Sequence, residues 1–185
     1  VRIMAGRALL HADMPDSVRF NLPEWLLADF QARFGPNLAE EAAAMEQPAA
    51  LDLRANLLRG TREEAAAALS AEGIATEATP FSPWGLRVPS RRPVTGTAAF
   101  KAGLIEVQDE GSQLIALLAD ARPGMRVADY CAGAGGKALA MAATMGNRGK
   151  ITACDTSAPR LEGAALRFRR AGVDNAERHL LTAGD

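Results

Sequence analysis

A strand that runs directly into a glycine-rich turn and then into a helix is the feature that most constrains the fold of this sequence. The stretch is Val127-Ala128-Asp129-Tyr130-Cys131-Ala132-Gly133-Ala134-Gly135-Gly136-Lys137-Ala138. Small side chains let a ligand approach the backbone, and the free amides of the first helical turn attract an anionic group. In a parallel sheet this turn lies at the carboxyl edge of the strands, where ligands bind. The pattern therefore predicts a ligand site in an α/β fold.

The elements around this turn alternate as in one half of a doubly wound parallel sheet. Strands are predicted over residues 125–130, 150–154 and 177–182, the first of them buried, and helices over 112–118, 136–145 and 158–171. The predicted fold class is α/β: the N-terminal part of a Rossmann-like sheet, which stops after its third strand.

The preceding residues have a different, α+β pattern. Helices are predicted from Leu22 to Phe34, over residues 37–45 and after a capping box of Thr61 and Glu64, and strands over 51–55, 76–79 and 85–88. We therefore predict a small α+β accessory domain over residues 1–90, a Pro- and Arg-containing linker over 91–100, and the first half of a Rossmann-like domain over 101–185.

Composition excludes several classes of protein. The 185 residues are 48% hydrophobic, which allows a sizeable core, and no segment is predicted to be a signal peptide or a membrane span. Two cysteines make neither a disulfide framework nor a zinc site, so we expect a cytoplasmic protein without a metal. The net charge of −1 gives no general support for nucleic-acid binding, although arginine greatly outnumbers lysine and a local basic patch remains compatible with it.

Three cofactor classes compete for the glycine turn. Residues 133–138 fit the G-x-G-x-x-A form of the dinucleotide fingerprint, a weak match by itself. A phosphate-binding P-loop fails, because Cys131 stands where it needs its first glycine and Ala138 replaces the magnesium-binding hydroxyl. For S-adenosylmethionine, Asp129 precedes the turn, Asp155 ends the next strand where it can accept the ribose hydroxyls, and Lys137 can pair with the methionine carboxylate. Asp155 alone does not separate this cofactor from NAD, since both contain a ribose.

The segment from Asp129 to Lys137 resembles the Asp-x-Cys-Ala-x-x-Gly-Gly-Lys motif of the RNA (cytosine-5) methyltransferases, the Sun/Fmu and Nop-type family. Residues 107–113 resemble the family's Gln-Asp-x-x-Ser segment, and residues 22–26 and 53–56 resemble its accessory domain. Two departures, Gly133-Ala134 for Ala-Pro and Ala138 for Thr, keep the side chains small.

This resemblance implies an S-adenosylmethionine-dependent enzyme that methylates C5 of cytosine in RNA, and ribosomal RNA as its partner. The implied cofactor-binding residues form one set: Cys131, Ala132, Gly133, Ala134, Gly135, Gly136, Lys137, Asp155, Arg160 and Asp185. The family's two catalytic cysteines are expected beyond Asp185, so no catalytic residue is named in this chain, and Cys131 and Cys154 are interpreted as small buried fillers.

Other residues are weaker candidates for RNA contacts. Arg160, Arg167, Arg169 and Arg170 are interpreted as a solvated helix face rather than an RNA contact. Arg91 and Arg92 are better candidates for phosphate binding. Trp25 is predicted to pack in the core or at an interface, and Trp84 is left open between packing and base stacking; His11 and His179 have no partner spacing. Alternatives to the enzyme are a methyltransferase for another substrate or a non-catalytic RNA-binding module with a vestigial fold. An open strand edge also predicts self-association of these residues alone.

Overall fold

The computed structural model describes residues 14–90 and 92–182 and residue 184. Contacts divide the chain into one unit that ends at Ala49 and a second that begins at Ala50. None of the helices in the described ranges combines the length and apolar character needed to span a bilayer.

The first unit is helical. Its described elements are α1 (Asp16–Arg19), α2 (Glu24–Phe34), a 3-10 turn (Gly35–Asn37) and α3 (Leu38–Met45). The rings of Phe30 and Phe34 meet edge to face with their centroids 5.4 Å apart, and Leu38 is buried. The two longer helices and the break at Gly35-Pro36 agree with the prediction.

The second unit begins with an antiparallel sheet in the order β2-β3-β1-β4. Its strands are β1 (Leu51–Ala55), β2 (Glu77–Ala78), β3 (Gly85–Val88) and β4 (Ile105–Val107), with helices α4 (Arg62–Ala71) and α5 (Ala98–Lys101). Leu53, Leu69, Leu86 and Ile105 form part of one buried core, so the strands and α4 share their apolar faces.

Local sequence determines the start of α4. The Thr61 hydroxyl accepts a hydrogen bond from the Glu64 amide at 3.1 Å, and the Glu64 carboxylate accepts one from the Thr61 amide at 2.7 Å. The predicted capping box is therefore present. Strand β4 was not predicted; it lies within residues 101–185 but pairs with β1 of the antiparallel sheet. The boundaries at 90 and 100 stay a prediction.

A parallel sheet in the order β5-β6-β7 follows within the same unit. Its elements are α6 (Glu110–Leu118), β5 (Arg126–Asp129), α7 (Gly136–Met145), β6 (Lys150–Asp155), α8 (Ala158–Ala171) and β7 (Ala176–Leu180). The predicted alternation of strands and helices is confirmed, and with it the Rossmann-like α/β class preceded by an α+β region.

The core of the parallel part lies between β6, α7 and α8, where Ile151, Leu139 and Phe168 are buried. The prediction that the first strand is buried was wrong. Arg126 and Ala128 of β5 are exposed, because β6 is the only strand beside β5 among the residues that the structure describes. The carboxyl ends of β5 and β6 nevertheless meet at one edge of the sheet, and that edge holds the glycine turn.

Candidate functional site

The glycine turn between β5 and α7 is held by backbone hydrogen bonds. The Ala132 amide donates to the Cys154 carbonyl on β6 at 2.8 Å, and the Gly135 amide donates to the Ala132 carbonyl at 2.8 Å. Gly133 and Gly135 have φ values of +54° and +78°, which favour glycine. A Cβ on Gly135 would lie 2.6 Å from the Phe168 ring, whereas one on Gly133 would meet nothing within 4 Å. The turn is thus packed behind Gly135 and open at Gly133.

Asp155, the last residue of β6, connects that strand to the turn. One carboxylate oxygen accepts a hydrogen bond from the Gly133 amide at 2.8 Å, and the other accepts one from the Ser157 amide at 2.8 Å. Backbone N–H donors at Ser157 and Gly133 hold the pKa of Asp155 below its usual range. The carboxylate is therefore ionised at neutral pH. Each of its oxygens keeps a lone pair that can accept a further hydrogen bond.

Asp129, the last residue of β5, is in the opposite electrostatic situation. Burial raises the pKa of Asp129, and the nearby Lys137 charge lowers it only in part. Its Oδ2 atom is buried and has no hydrogen-bond partner among the residues that the structure describes. A buried carboxylate oxygen without a hydrogen-bond donor destabilises the fold, so this position favours a ligand that supplies a donor.

A cleft of about 320 Å³ opens beside the ends of these strands. Its lining residues come from the ends of β5 and β6, from α8 and from the segment after β7: Tyr130, Cys131, Asp155, Thr156, Arg160, Leu181 and Thr182. Three predicted site residues, Cys131, Asp155 and Arg160, meet in this cleft. The other four were missed. Their positions could have indicated them, since each directly follows or lies just beyond the end of a strand.

Comparison with known proteins identifies the family of the chain that contains this site. Residues 22–95 match the model of the RsmF/B-like methyltransferase ferredoxin-like domain. A probable ribosomal RNA small subunit methyltransferase B from Synechocystis is 32% identical over 157 residues, which are 84% of this chain and 35% of that protein. The chain belongs to the RsmF/B-like methyltransferase family. The match includes strands β1, β2 and β3 of the antiparallel sheet and ends before β4. The resemblance inferred from the motifs is confirmed.

Other relatives of this RsmF/B-like chain are also named as methyltransferases or their homologues. The 26S rRNA (cytosine-C(5))-methyltransferase nsun-1 of Caenorhabditis elegans is 31% identical over 173 residues, 90% of this chain and 26% of that protein. A methyltransferase homologue from Pyrococcus horikoshii has the same fold, with a TM-score of 0.83, 28% identity, and coverage of 94% of this chain and 58% of that one. The chain spans about a third of the length of the first curated relatives.

The structure places the remaining predicted site residues around the turn. Ala132 is buried, Gly133, Gly136 and Lys137 are half-buried, and Ala134 is exposed. Asp185, the predicted adenine contact, lies outside the described residues, and the binding roles of the whole set stay predictions. The interpretation of both thiols as buried fillers was correct for Cys154 and wrong for Cys131, which is exposed because it lies in the turn beyond the end of β5.

The interpretation of the α8 arginines as a solvated face was wrong for two of them. Arg167 and Arg170 both bind the carboxylate of Glu106 on β4, at 3.0 Å and 2.5 Å. Glu106 is 1% exposed, so this carboxylate requires charged partners. Arg160 and Arg169 are exposed as predicted.

The aromatic and linker candidates also differ in their exposure and contacts. Trp25 is 77% exposed, so it does not pack in a core among the described residues, and packing at an interface stays a prediction. Trp84 is buried. Arg92 is exposed and donates to the Gly73 carbonyl at 2.8 Å, a contact within the accessory region. His179 is exposed, and Arg91 and His11 lie outside the described residues.

Proposed function

We propose that this chain forms the S-adenosylmethionine-binding part of an enzyme that methylates C5 of cytosine in ribosomal RNA. Relatives named as ribosomal RNA methyltransferases, one of them a cytosine-C(5) enzyme, support the reaction and the substrate class. The observation that carries the proposal is the position of Asp155, whose ionised carboxylate fixes the glycine turn and lines the adjacent cleft.

The residues at the turn fit this cofactor chemically. The ribose hydroxyls are donors that the Asp155 carboxylate can accept in the cleft. The methionine moiety offers an ammonium group, which would give the orphaned Asp129 oxygen a charged donor. Its carboxylate can pair with Lys137, and the open space beside Gly133 leaves room for it. Arg160 lines the same cleft, and Asp185 remains the predicted contact to the adenine edge.

The bound cofactor supplies an electrophilic methyl group on a sulfonium. The chain's own contribution is to orient that group and to neutralise the charges of the methionine end. In the family resembled, a cysteine thiolate adds to C6 of cytosine so that C5 becomes nucleophilic. Neither Cys131, which lines the cofactor cleft, nor Cys154, which is buried in β6, is proposed for that role. We propose that the two cysteines lie in sequence beyond Asp185.

Two experiments test the proposal in the intact protein that contains this chain. Calorimetric titration should show binding of S-adenosylmethionine and no binding of NAD, and Asp155→Ala should abolish the binding. Transfer of labelled methyl groups to ribosomal RNA, followed by nuclease digestion, should yield 5-methylcytidine. Label on another nucleotide would indicate a different methyltransferase, and cofactor binding without transfer to any RNA would support a vestigial module. Either outcome contradicts the proposed reaction.

A further inference from the structure

A chain of charged hydrogen bonds joins the antiparallel sheet to the glycine turn. Glu106 on β4 is buried and accepts hydrogen bonds from Arg167 at 3.2 Å and 3.0 Å through its Oε2 atom. A third nitrogen of the same guanidinium, Nη1, donates to the carbonyl of Ala134 in the turn at 3.0 Å. Arg167 therefore bridges a residue 61 positions earlier in the chain and the backbone of the turn.

The bridged carbonyl lies at a sensitive point of the turn. The peptide that joins Ala134 to Gly135 lies between two glycines with left-handed φ values, where the backbone has its greatest freedom. Arg167 binds the carbonyl of this peptide, and the amide of the same peptide donates to Ala132. The peptide is consequently fixed at both ends, and the turn amides keep one orientation before any ligand binds.

Burial makes the bridge rigid. The Arg167 side chain is 24% exposed and Glu106 is 1% exposed, so solvent screens their interaction only partly. Arg170 donates to the other Glu106 oxygen, and its guanidinium lies 3.8 Å from the Phe100 ring centroid, so it holds the carboxylate from the second side. The fork of an arginine is required, since a lysine ammonium cannot reach both acceptors in this planar geometry.

We infer that Glu106 and Arg167 are positioning residues for the cofactor: the antiparallel sheet, through this bridge, sets the geometry of the turn that binds the methionine end. The inference rests on the proposed function for the identity of the ligand only. It assigns to the antiparallel sheet a part in cofactor binding in addition to any contact with RNA.

Substitutions of Arg167 and Arg170 form a matched pair, since each removes one arginine from Glu106. Of the two side chains, only Arg167 contacts the turn. In the intact protein, Arg167→Met should raise the dissociation constant for S-adenosylmethionine about tenfold, the loss expected for one charge-assisted hydrogen bond. Arg170→Met should lower the melting temperature similarly and raise that constant much less, because Arg167 keeps its hydrogen bonds to Glu106 and to the Ala134 carbonyl. Glu106→Gln should behave as Arg167→Met if it folds.

Hydrogen exchange without cofactor separates this inference from the proposed function. Arg167→Met should increase the exchange of amides in peptides covering residues 132–138, and Arg170→Met should increase it much less. This result would support the bridge even if the wild-type protein bound no S-adenosylmethionine. Wild-type affinity and exchange in Arg167→Met, or equal losses in both variants, would overturn the inference.

Discussion

At the scale of single residues, the site contains two aspartates with opposite surroundings. Asp155 accepts hydrogen bonds from two backbone amides, which stabilise its charge, whereas burial disfavours the charge of Asp129. The first carboxylate is satisfied within the protein and the second keeps an orphaned oxygen. An arrangement that costs stability at a ligand site is expected where the ligand supplies the missing partner.

Asp129→Asn should therefore raise stability at neutral pH while weakening S-adenosylmethionine binding. A raised folded-state pKa means that the ionised group destabilises the fold above that pKa, so the gain should vanish as pH falls towards about 4. Asp155→Asn is the matched control with the opposite sign. Its lowered pKa stabilises the fold above about pH 4, and this contribution is lost as pH falls through the folded pKa. Urea denaturation at several pH values, with calorimetry at neutral pH, measures both; reduced stability in Asp129→Asn at pH 7 would contradict the prediction.

The two turn glycines offer a second comparison. Gly135→Ala should destabilise the protein by about 1–3 kcal/mol through the contact of the new Cβ with the Phe168 ring, in addition to backbone strain. Gly133→Ala carries the backbone strain without that contact, so it should retain more stability. Chemical denaturation of both variants measures the difference. Equal stabilities would mean that the ring moves away freely.

At the scale of elements, local signals in the sequence predicted more than tertiary ones. The capping box at Thr61 and Glu64 and the Gly35-Pro36 break involve neighbouring residues, and both helix boundaries followed from them. Strand β4 was missed because its three residues, Ile105–Val107, are too few for an alternating pattern to indicate a strand. The burial of Glu106 depends on arginines more than 60 positions away, so no local pattern indicates it. The turn and Asp155 were predictable because parallel strands end at one edge.

The Asn56 side chain connects the end of β1 with the segment before β4 and with the end of α8. The Asn56 amide nitrogen donates to the carbonyls of Gly103 at 2.7 Å and Ala171 at 2.8 Å, and the residue is 1% exposed. Asn56→Ala should cost about 1–3 kcal/mol, since it leaves two buried acceptors without their donor. Asn56→Asp should cost more, because it places a carboxylate against the same carbonyls. Thermal denaturation tests the order, and an unaffected Asn56→Ala would contradict it.

At the scale of the whole molecule, the antiparallel and parallel sheets belong to one contact unit, and charged and amide side chains join them. The matched residues make up 35% and 30% of the first curated relatives, so the chain shares with them only the accessory region and the first part of the parallel sheet. The alternation of parallel strands with helices could be predicted from the sequence. The joining of the sheets could not, because it depends on pairs distant in sequence.

Surface features of this unit predict self-association when residues 1–185 are produced alone. Strand β5 is an edge strand, and the apolar side chains of Ile115 and Leu118 on α6 are 57% and 83% exposed. Sedimentation velocity over a range of concentrations should therefore show an increasing average mass. Lysine substitutions at Ile115 and Leu118 should reduce it. A monomer that melts cooperatively at all concentrations would contradict the prediction.

The most direct test of the cofactor site is a hydrogen-exchange footprint of S-adenosylmethionine on the intact protein. Addition of the cofactor should protect amides in two segments, residues 131–138 at the turn and 155–160 after β6, while the antiparallel sheet changes little. Protection confined to other segments, or no protection at saturating cofactor, would contradict the assignment of this edge as the methyl-donor site.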